Sequence, residues 1–307
     1  MTQSPQQSAT SQTSPASTRF HADSSPSLIE QQVDDTPTLR DWLHRTTLML
    51  RCHQIASARL DAELLASFVL QHPRQWLHAH DDILLTKAQH KALQHLVARR
   101  CTHYPLAYLT QQKEFYRRDF YINSSVLVPR PETEMMIELL LQYARPHHRH
   151  LTDVGTGSGV VAITAKLEVP RLAVTACDID PAALSVAQHN AASLHADITC
   201  QVSDLLGDAA HPYDIIMANL PYVDPDWRRD DRETAHEPQH ALFAEAHGLA
   251  LIYRLLEQTD RWLASHGLLI LEADPCQHHA IIAEATRWQL QLLTTAGYAI
   301  ALTKNLP

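Results

Sequence analysis

Asn219-Leu220-Pro221-Tyr222 follows the apolar run Tyr213–Ala218 in a chain of 307 residues, and these residue types together can hold a planar, nitrogen-bearing group. The Asn219 side-chain oxygen and the Leu220 backbone carbonyl can each accept one N–H, while the Tyr222 ring can stack on the plane. A planar nitrogen is a poor nucleophile because its lone pair is delocalised. Fixing both N–H groups aims the out-of-plane lobe at an electrophile and favours pyramidalisation. Orientation within about 3–3.5 Å is a large part of catalysis in such displacements. No strong general base is required, since the proton can leave after the new bond has formed. In isolation an Asn-x-Pro-Tyr tetrapeptide is more often a turn. Here it projects over the same strand edge as two other features, which favours function.

The first of these is glycine placement. The chain has 7 glycines, and three fall in Asp153-Val154-Gly155-Thr156-Gly157-Ser158-Gly159. Glycine permits positive φ and removes the Cβ that would block a ligand, and the helix that follows offers free N–H groups at its start. The second is Asp178, which follows the apolar stretch Leu172–Cys177 and can accept two ribose hydroxyls. Asp180 reads instead as the N-cap of a helix opened by Pro181. A dinucleotide site competes for this pattern. However, the spacing is Gly-x-Gly-x-Gly, with Asp153 just before it, and resembles the S-adenosylmethionine loop of class I methyltransferases. In that family Asp204, at the end of the third strand, lies where the adenine is met. A turn aspartate is an equally good reading of Asp204 by itself.

Alternating strand and helix patterns supply the scaffold. Strands are expected at Leu151–Val154, Leu172–Cys177, Ile198–Val202, Tyr213–Ala218 and Leu268–Glu272, with two more near Gln291–Thr294 and Tyr298–Thr303. Helices are expected near 159–168, 181–193, 242–265 and 277–289. Such alternation predicts an α/β fold with a largely parallel sheet covered on both faces, and ligands in such sheets sit beyond the C-terminal strand ends. Upstream, residues 1–36 read as a disordered tail of Ser, Thr, Gln and Pro. Order is expected from Thr36-Pro37, as N-cap and first helical residue. Further helices are expected over Ala58–Gln71, with Leu60, Leu64, Leu65 and Phe68 on one side, and from the capping-box pattern Thr86-Lys87-Ala88-Gln89 to about Arg100. A hairpin is expected within Glu114–Ile122. Pro129-Arg130-Pro131-Glu132-Thr133-Glu134 then opens a helix. The predicted division is a tail over 1–36, a helical substrate-recognition domain over 37–112, a β-hairpin linker over 113–130 and a catalytic domain over 131–307.

Bulk properties narrow the function. A net charge of -9 argues against a nucleic-acid partner, and Arg117-Arg118 and Arg228-Arg229 read as solvated surface. Five cysteines without a CxxC pair suggest a reduced, cytoplasmic setting. No apolar run approaches the roughly 18 residues of a membrane helix, and the N-terminus lacks a signal pattern. The 21 histidines invite a metal, but His147, His148 and His150 read as surface and Pro238 interrupts the His236/His240 spacing, so no metal site is expected. A monomer is expected.

The chain from about 38 to 305 resembles the N5-glutamine methyltransferases of peptide-chain release factors. Pro105–Leu109, Lys113–Tyr116, Val128–Glu134, the glycine loop, Asp178, Asn219–Tyr222 and His236-Glu237-Pro238…Ala241-Leu242-Phe243 carry that resemblance. It implies a class I, Rossmann-like methyltransferase domain behind a helical domain and hairpin. It also implies methyl transfer from S-adenosyl-L-methionine to the glutamine of a Gly-Gly-Gln loop. The resemblance assigns Gly155, Thr156, Gly157, Ser158, Gly159, Asp178, Asp204, Leu205 and Asn219 to the cofactor. Asn219, Leu220, Pro221 and Tyr222 go to the substrate, with Asn219 and Tyr222 catalytic. The segment after Pro129-Arg130 favours release factors over the ribosomal-protein substrate of a sister group. There are three departures. Leu220 replaces the first of two prolines, which also matches rRNA adenine dimethyltransferases. Ala244–Gly248 lacks a glycine pair, and Leu205 replaces an aromatic residue. Alternatives are an adenine N6-methyltransferase, which the N-terminal position of the helical domain disfavours, and a non-catalytic or NAD-binding Rossmann domain, which the Asn219–Tyr222 motif disfavours.

Overall fold

Helical periodicity governs the N-terminal part of the computed structural model, which describes residues 36–227 and 232–304. Almost all of the expected tail, and the pair Arg228-Arg229, lie outside the described residues. Five helices come first: α1 (Leu39–Cys52), α2 (Ala58–Leu70), α3 (Arg74–Ala79), α4 (Lys87–Arg100) and α5 (Leu106–Thr110). Helix α1 starts two residues later than expected, because the Thr38 side chain, not Thr36, accepts from Asp41 N. The Pro37 carbonyl is instead taken by Leu85 N at 3.1 Å. Thr86 caps α4 through the expected capping box. Leu60 was expected on the buried stripe of α2 but is 41% exposed. The buried face runs through Ala62, Leu65 and Ala66, whose small side chains let α2 pack closely on its neighbours. Helices α3 and α5, at 6 and 5 residues, are too short to leave a periodic signature.

Next comes the hairpin of β1 (Gln112–Phe115) and β2 (Arg118–Tyr121). Its two turn residues, Tyr116 and Arg117, both take positive φ, as a tight hairpin twist demands even without glycine. Tyr116 is held there by Glu134, which accepts its N–H at 2.8 Å. A 3-10 turn over Pro131–Thr133 then leads into α6 (Glu134–Tyr143).

The remaining elements alternate: β3 (His150–Val154), α7 (Val160–Glu168), β4 (Ala173–Asp178), α8 (Pro181–Ser193), β5 (Ile198–Val202), β6 (Tyr213–Ala218), α9 (Ala250–Trp262), β7 (Leu263–Glu272), α10 (His278–Arg287), β8 (Leu290–Ala296) and β9 (Ala299–Lys304). The strands form one sheet in the order β5-β4-β3-β6-β7-β9-β8. The first five are parallel, and β9 is antiparallel to both its neighbours. Alternation sorts the strand residues onto two faces. Ile215, Met217, Leu268 and Ile270 pack with α6, α7 and α8, while Ile216, Ala218, Leu269 and Leu271 pack with α9 and α10. The helix expected over 242–265 is shorter at both ends, because Ala246, His247 and Gly248 take left-handed backbone before it and Leu263 already belongs to β7.

One buried ion pair braces the helical part. Arg100 Nε donates to Asp61 Oδ2 at 2.6 Å, and the same guanidinium reaches the Tyr104 carbonyl and Glu233. The Arg100 and Asp61 side chains are each 3% exposed. Removing one partner leaves a buried charge short of compensation. Asp61→Ala is expected to destabilise the protein by about 3 kcal/mol, the low end for such losses because Glu233 and Tyr104 remain. Urea unfolding checks this as a lower midpoint with unchanged slope.

Candidate active site

Strand order reverses between β3 and β6, and the loops that follow these strands part to leave a crevice. The glycine loop after β3 folds back on β4, because Gly155 N and Thr156 N both donate to the Cys177 carbonyl at 2.9 Å. Gly157, at φ +53°, has nothing within 4 Å of where a Cβ would stand, and it lines a cavity of about 280 Å³. Its N–H donates to Asp178 Oδ2 at 2.8 Å, and Asp180 N donates to Oδ1 at 3.0 Å. The Asp178 carboxylate is thus fixed by two backbone groups, and each oxygen keeps capacity for a further donor. Asp180 caps α8 as expected, accepting from Ala182 N at 2.8 Å.

Below the loop, Asp153 Oδ2 accepts from Thr156 Oγ1 at 2.6 Å and from Ala162 N at 3.1 Å. Burial pushes the Asp153 carboxyl up to about 7, with the nearby Asp178 charge adding to the effect. Thr156 and Ser158 line the cavity, but the Thr156 hydroxyl is spent on Asp153 and the Ser158 carbonyl on Asn190. Gly159 is not among the lining residues. A Cβ there would stand 3.0 Å from Ala187 and Ile163 side-chain atoms, so this glycine serves the packing of α7 on α8.

On the far side of the cavity, Asp204 is half-exposed and pairs with Arg254 at 2.7 Å. Leu205 is buried at φ +54°, an uncommon backbone for a bulky residue, and Ser203 Oγ donates to its carbonyl at 2.8 Å. Ile179 also lines the cavity while 63% exposed. Its signal in the sequence is a large apolar residue placed directly after the strand-ending acid.

Asn219, Leu220 and Pro221 form another wall of this cavity. Asn219 and Leu220, together with Leu127 and Arg130, also border a second cavity of about 80 Å³, which Tyr222 and Glu272 line as well. The motif is therefore a partition with one space on either side. Asn219 Nδ2 points to Thr133 Oγ1 at 3.3 Å. The Leu220 side chain is buried beneath the glycine loop, with Cδ2 3.0 Å from the Cβ position of Gly155. The Tyr222 hydroxyl donates to Glu272 Oε1 at 3.2 Å.

Two carboxyls at the site have partners that no local pattern in the sequence reveals. Glu237 has a wholly buried side chain and pairs with Arg130 at 2.5 Å, while its other oxygen accepts Val128 N at 3.0 Å. It locks the segment before α6 to the loop between β6 and α9. Glu272, the last residue of β7, is 2% exposed, and burial raises its pKa. Its sole sequence signal is an acid closing an apolar strand.

Comparisons with known proteins agree with this architecture. A family model described as "PrmC N-terminal domain" matches residues 41–110, and one described as "Methyltransferase small domain" matches residues 131–249. A release factor glutamine methyltransferase of Koribacter versatilis is 38% identical over 82% of this chain and 93% of its own. One from Bordetella pertussis is 38% identical over 78% and 87%, and one from Coxiella burnetii 37% identical over 70% and 78%. The seven-stranded sheet, with its reversal beside the glycine loop, is that of a class I methyltransferase. With identity of this level spread over nearly the whole length of such relatives, the chain belongs to the release factor glutamine methyltransferase family.

Proposed function

We propose that this enzyme methylates the side-chain amide nitrogen of the glutamine in the Gly-Gly-Gln loop of a peptide-chain release factor. The observation that carries the reading is the partition: Asn219 and Leu220 face a large cavity on one side and a small one on the other. The large cavity suits S-adenosyl-L-methionine, which supplies an electrophilic methyl group. Gly157 leaves room for close backbone approach, Asp178 offers oxygens to two ribose hydroxyls, and Ile179 and Leu205 offer apolar surface to the adenine. Asp204, already balanced by Arg254, would lie at the adenine edge.

The small cavity suits a carboxamide. Asn219 Oδ1 and the Leu220 carbonyl would each accept one N–H of the glutamine. The nitrogen's out-of-plane lobe then faces the neighbouring cavity, and much of the rate comes from this orientation. Tyr222 would stack on the amide plane and Pro221 would hold the turn. The helical domain and hairpin would contribute to recognition of the release factor, in the cytoplasm. Adenine, whose exocyclic amine is also planar, is the second reading that Asn-Leu-Pro-Tyr allows. The net charge of -9 and the release factor glutamine methyltransferase relatives favour a carboxamide over a purine.

Incubation with labelled cofactor and either release factor or rRNA tests the reading, and label on RNA alone would overturn it. Asn219→Ala is expected to lower kcat by about 100-fold or more, the scale of a misaligned reacting group. Asp178→Ala is expected to weaken binding of S-adenosylhomocysteine, followed by calorimetry, by roughly 10- to 100-fold, as for lost hydrogen bonds to a charged group. Unchanged affinity would remove the ribose role.

A further inference from the structure

The clamp has a requirement that Asn219 cannot meet alone. An asparagine amide has a donor end and an acceptor end of nearly identical shape. Only one orientation, with Oδ1 toward the acceptor nitrogen, can receive an N–H. The groups behind Asn219 must therefore favour Nδ2 on their side. Thr133 Oγ1 at 3.3 Å from Nδ2 is weak by itself, since a hydroxyl accepts or donates equally well.

Glu272 stands behind both. It lies at the end of β7, the strand paired with β6, from whose end Asn219 projects. It borders the small cavity together with Asn219, Leu220 and Tyr222. Its Oε1 accepts the Tyr222 hydroxyl, while Oε2 is buried without a hydrogen-bond partner. Burying a carboxyl in this way costs stability, and the cost calls for a function. The Thr133 hydroxyl and the Asn219 amide face this carboxyl and lower its pKa against the effect of burial, without closing a bond to Oε2. Electrostatic stabilisation is reciprocal: groups that favour the anion are themselves held in the orientation that does so.

We infer that Glu272 is the positioning residue of the acceptor clamp. It orients Asn219 with Nδ2 inward and Oδ1 toward the substrate amide, and it tethers the Tyr222 ring through its hydroxyl. The role rests on the amide-methylating reading above. Glu272→Gln tests it, because the replacement has nearly the same shape. If glutamine offers its oxygen to Tyr222, it presents an NH2 toward Thr133 and Asn219. A donor then faces a donor, and the Asn219 amide is free to turn over.

With release factor as substrate, Glu272→Gln is expected to lower kcat by about 10- to 100-fold, the scale of a misaligned clamp. Binding of S-adenosylhomocysteine should stay the same, and thermal stability should be equal or higher. Tyr222→Phe removes the tethered hydroxyl. The double variant should fall by clearly less than the product of the two single effects, because residues in one network are not additive. Wild-type kcat in Glu272→Gln would overturn the role, as would strictly additive effects of the two substitutions. So would a fall in activity matched by equal losses of cofactor affinity and melting temperature. A wild-type chain that fails to methylate the release factor would overturn the acceptor reading and this role together. An active wild type matched by Glu272→Gln overturns the role alone.

Discussion

Parallel pairing of β3 with both β4 and β6 brings the C-terminal ends of three strands to one edge, and the site depends on that constraint. The chain leaves β3 and β4 for helices on one face and passes from β6 to α9 on the other, so the loops separate above the sheet. Once they part, each strand end can contribute one kind of group: a glycine turn from β3, a carboxylate from β4, an amide from β6. The neighbouring β7 adds a buried acid. Burial on both faces keeps these ends in register, because a slip by one residue would exchange the two apolar faces. The segment from Val128 to Thr133 then closes the crevice from above the sheet edge, and the buried Glu237 carboxylate ties it down at a backbone N–H and at Arg130.

Much of this was legible in the sequence, for local reasons. The apolar runs of β3, β5 and β6 carry their own boundaries, and scarcity made the three loop glycines conspicuous. Asp180 announced its capping role through the proline after it. Helix α9 was over-read because an apolar pattern continues through residues whose backbone turns left-handed, and Ala246 and His247 take this conformation without being glycine. Glu237 entered only through the resemblance and Glu272 only as a strand end, because their structural roles lie in partners far along the chain: Val128 is 109 positions from Glu237, and Tyr222 is 50 from Glu272. Gly159 shows a related ambiguity, since glycine needed for helix packing looks in sequence like glycine needed for a ligand.

Leu220 shows how a departure from a motif is absorbed. A proline would restrict φ at this position, whereas leucine offers a branched side chain that must be buried somewhere. Here it fills the space beneath the glycine loop, close enough that a Cβ on Gly155 would stand 3.0 Å from its Cδ2. The loop and the partition are thus one packed unit. Room for this leucine and the absence of a Cβ at Gly155 are two sides of the same contact.

Asp153 couples the loop to the proton concentration of the medium. Its carboxyl titrates near the ordinary value of 3.8 in an unfolded chain and is pushed up to about 7 by burial in the folded one. Between those two values folding takes up a proton. By linkage, the stability this group contributes is complete at the acidic end, declines as pH rises through the window and is gone above it. The same accounting applies to ligands. Anything that brings positive charge toward Asp178 and Asp153 favours the ionised acid and expels part of that proton. Occupation of the crevice, which Asp153 itself lines, by a cation should therefore leave a measurable trace in buffer protonation.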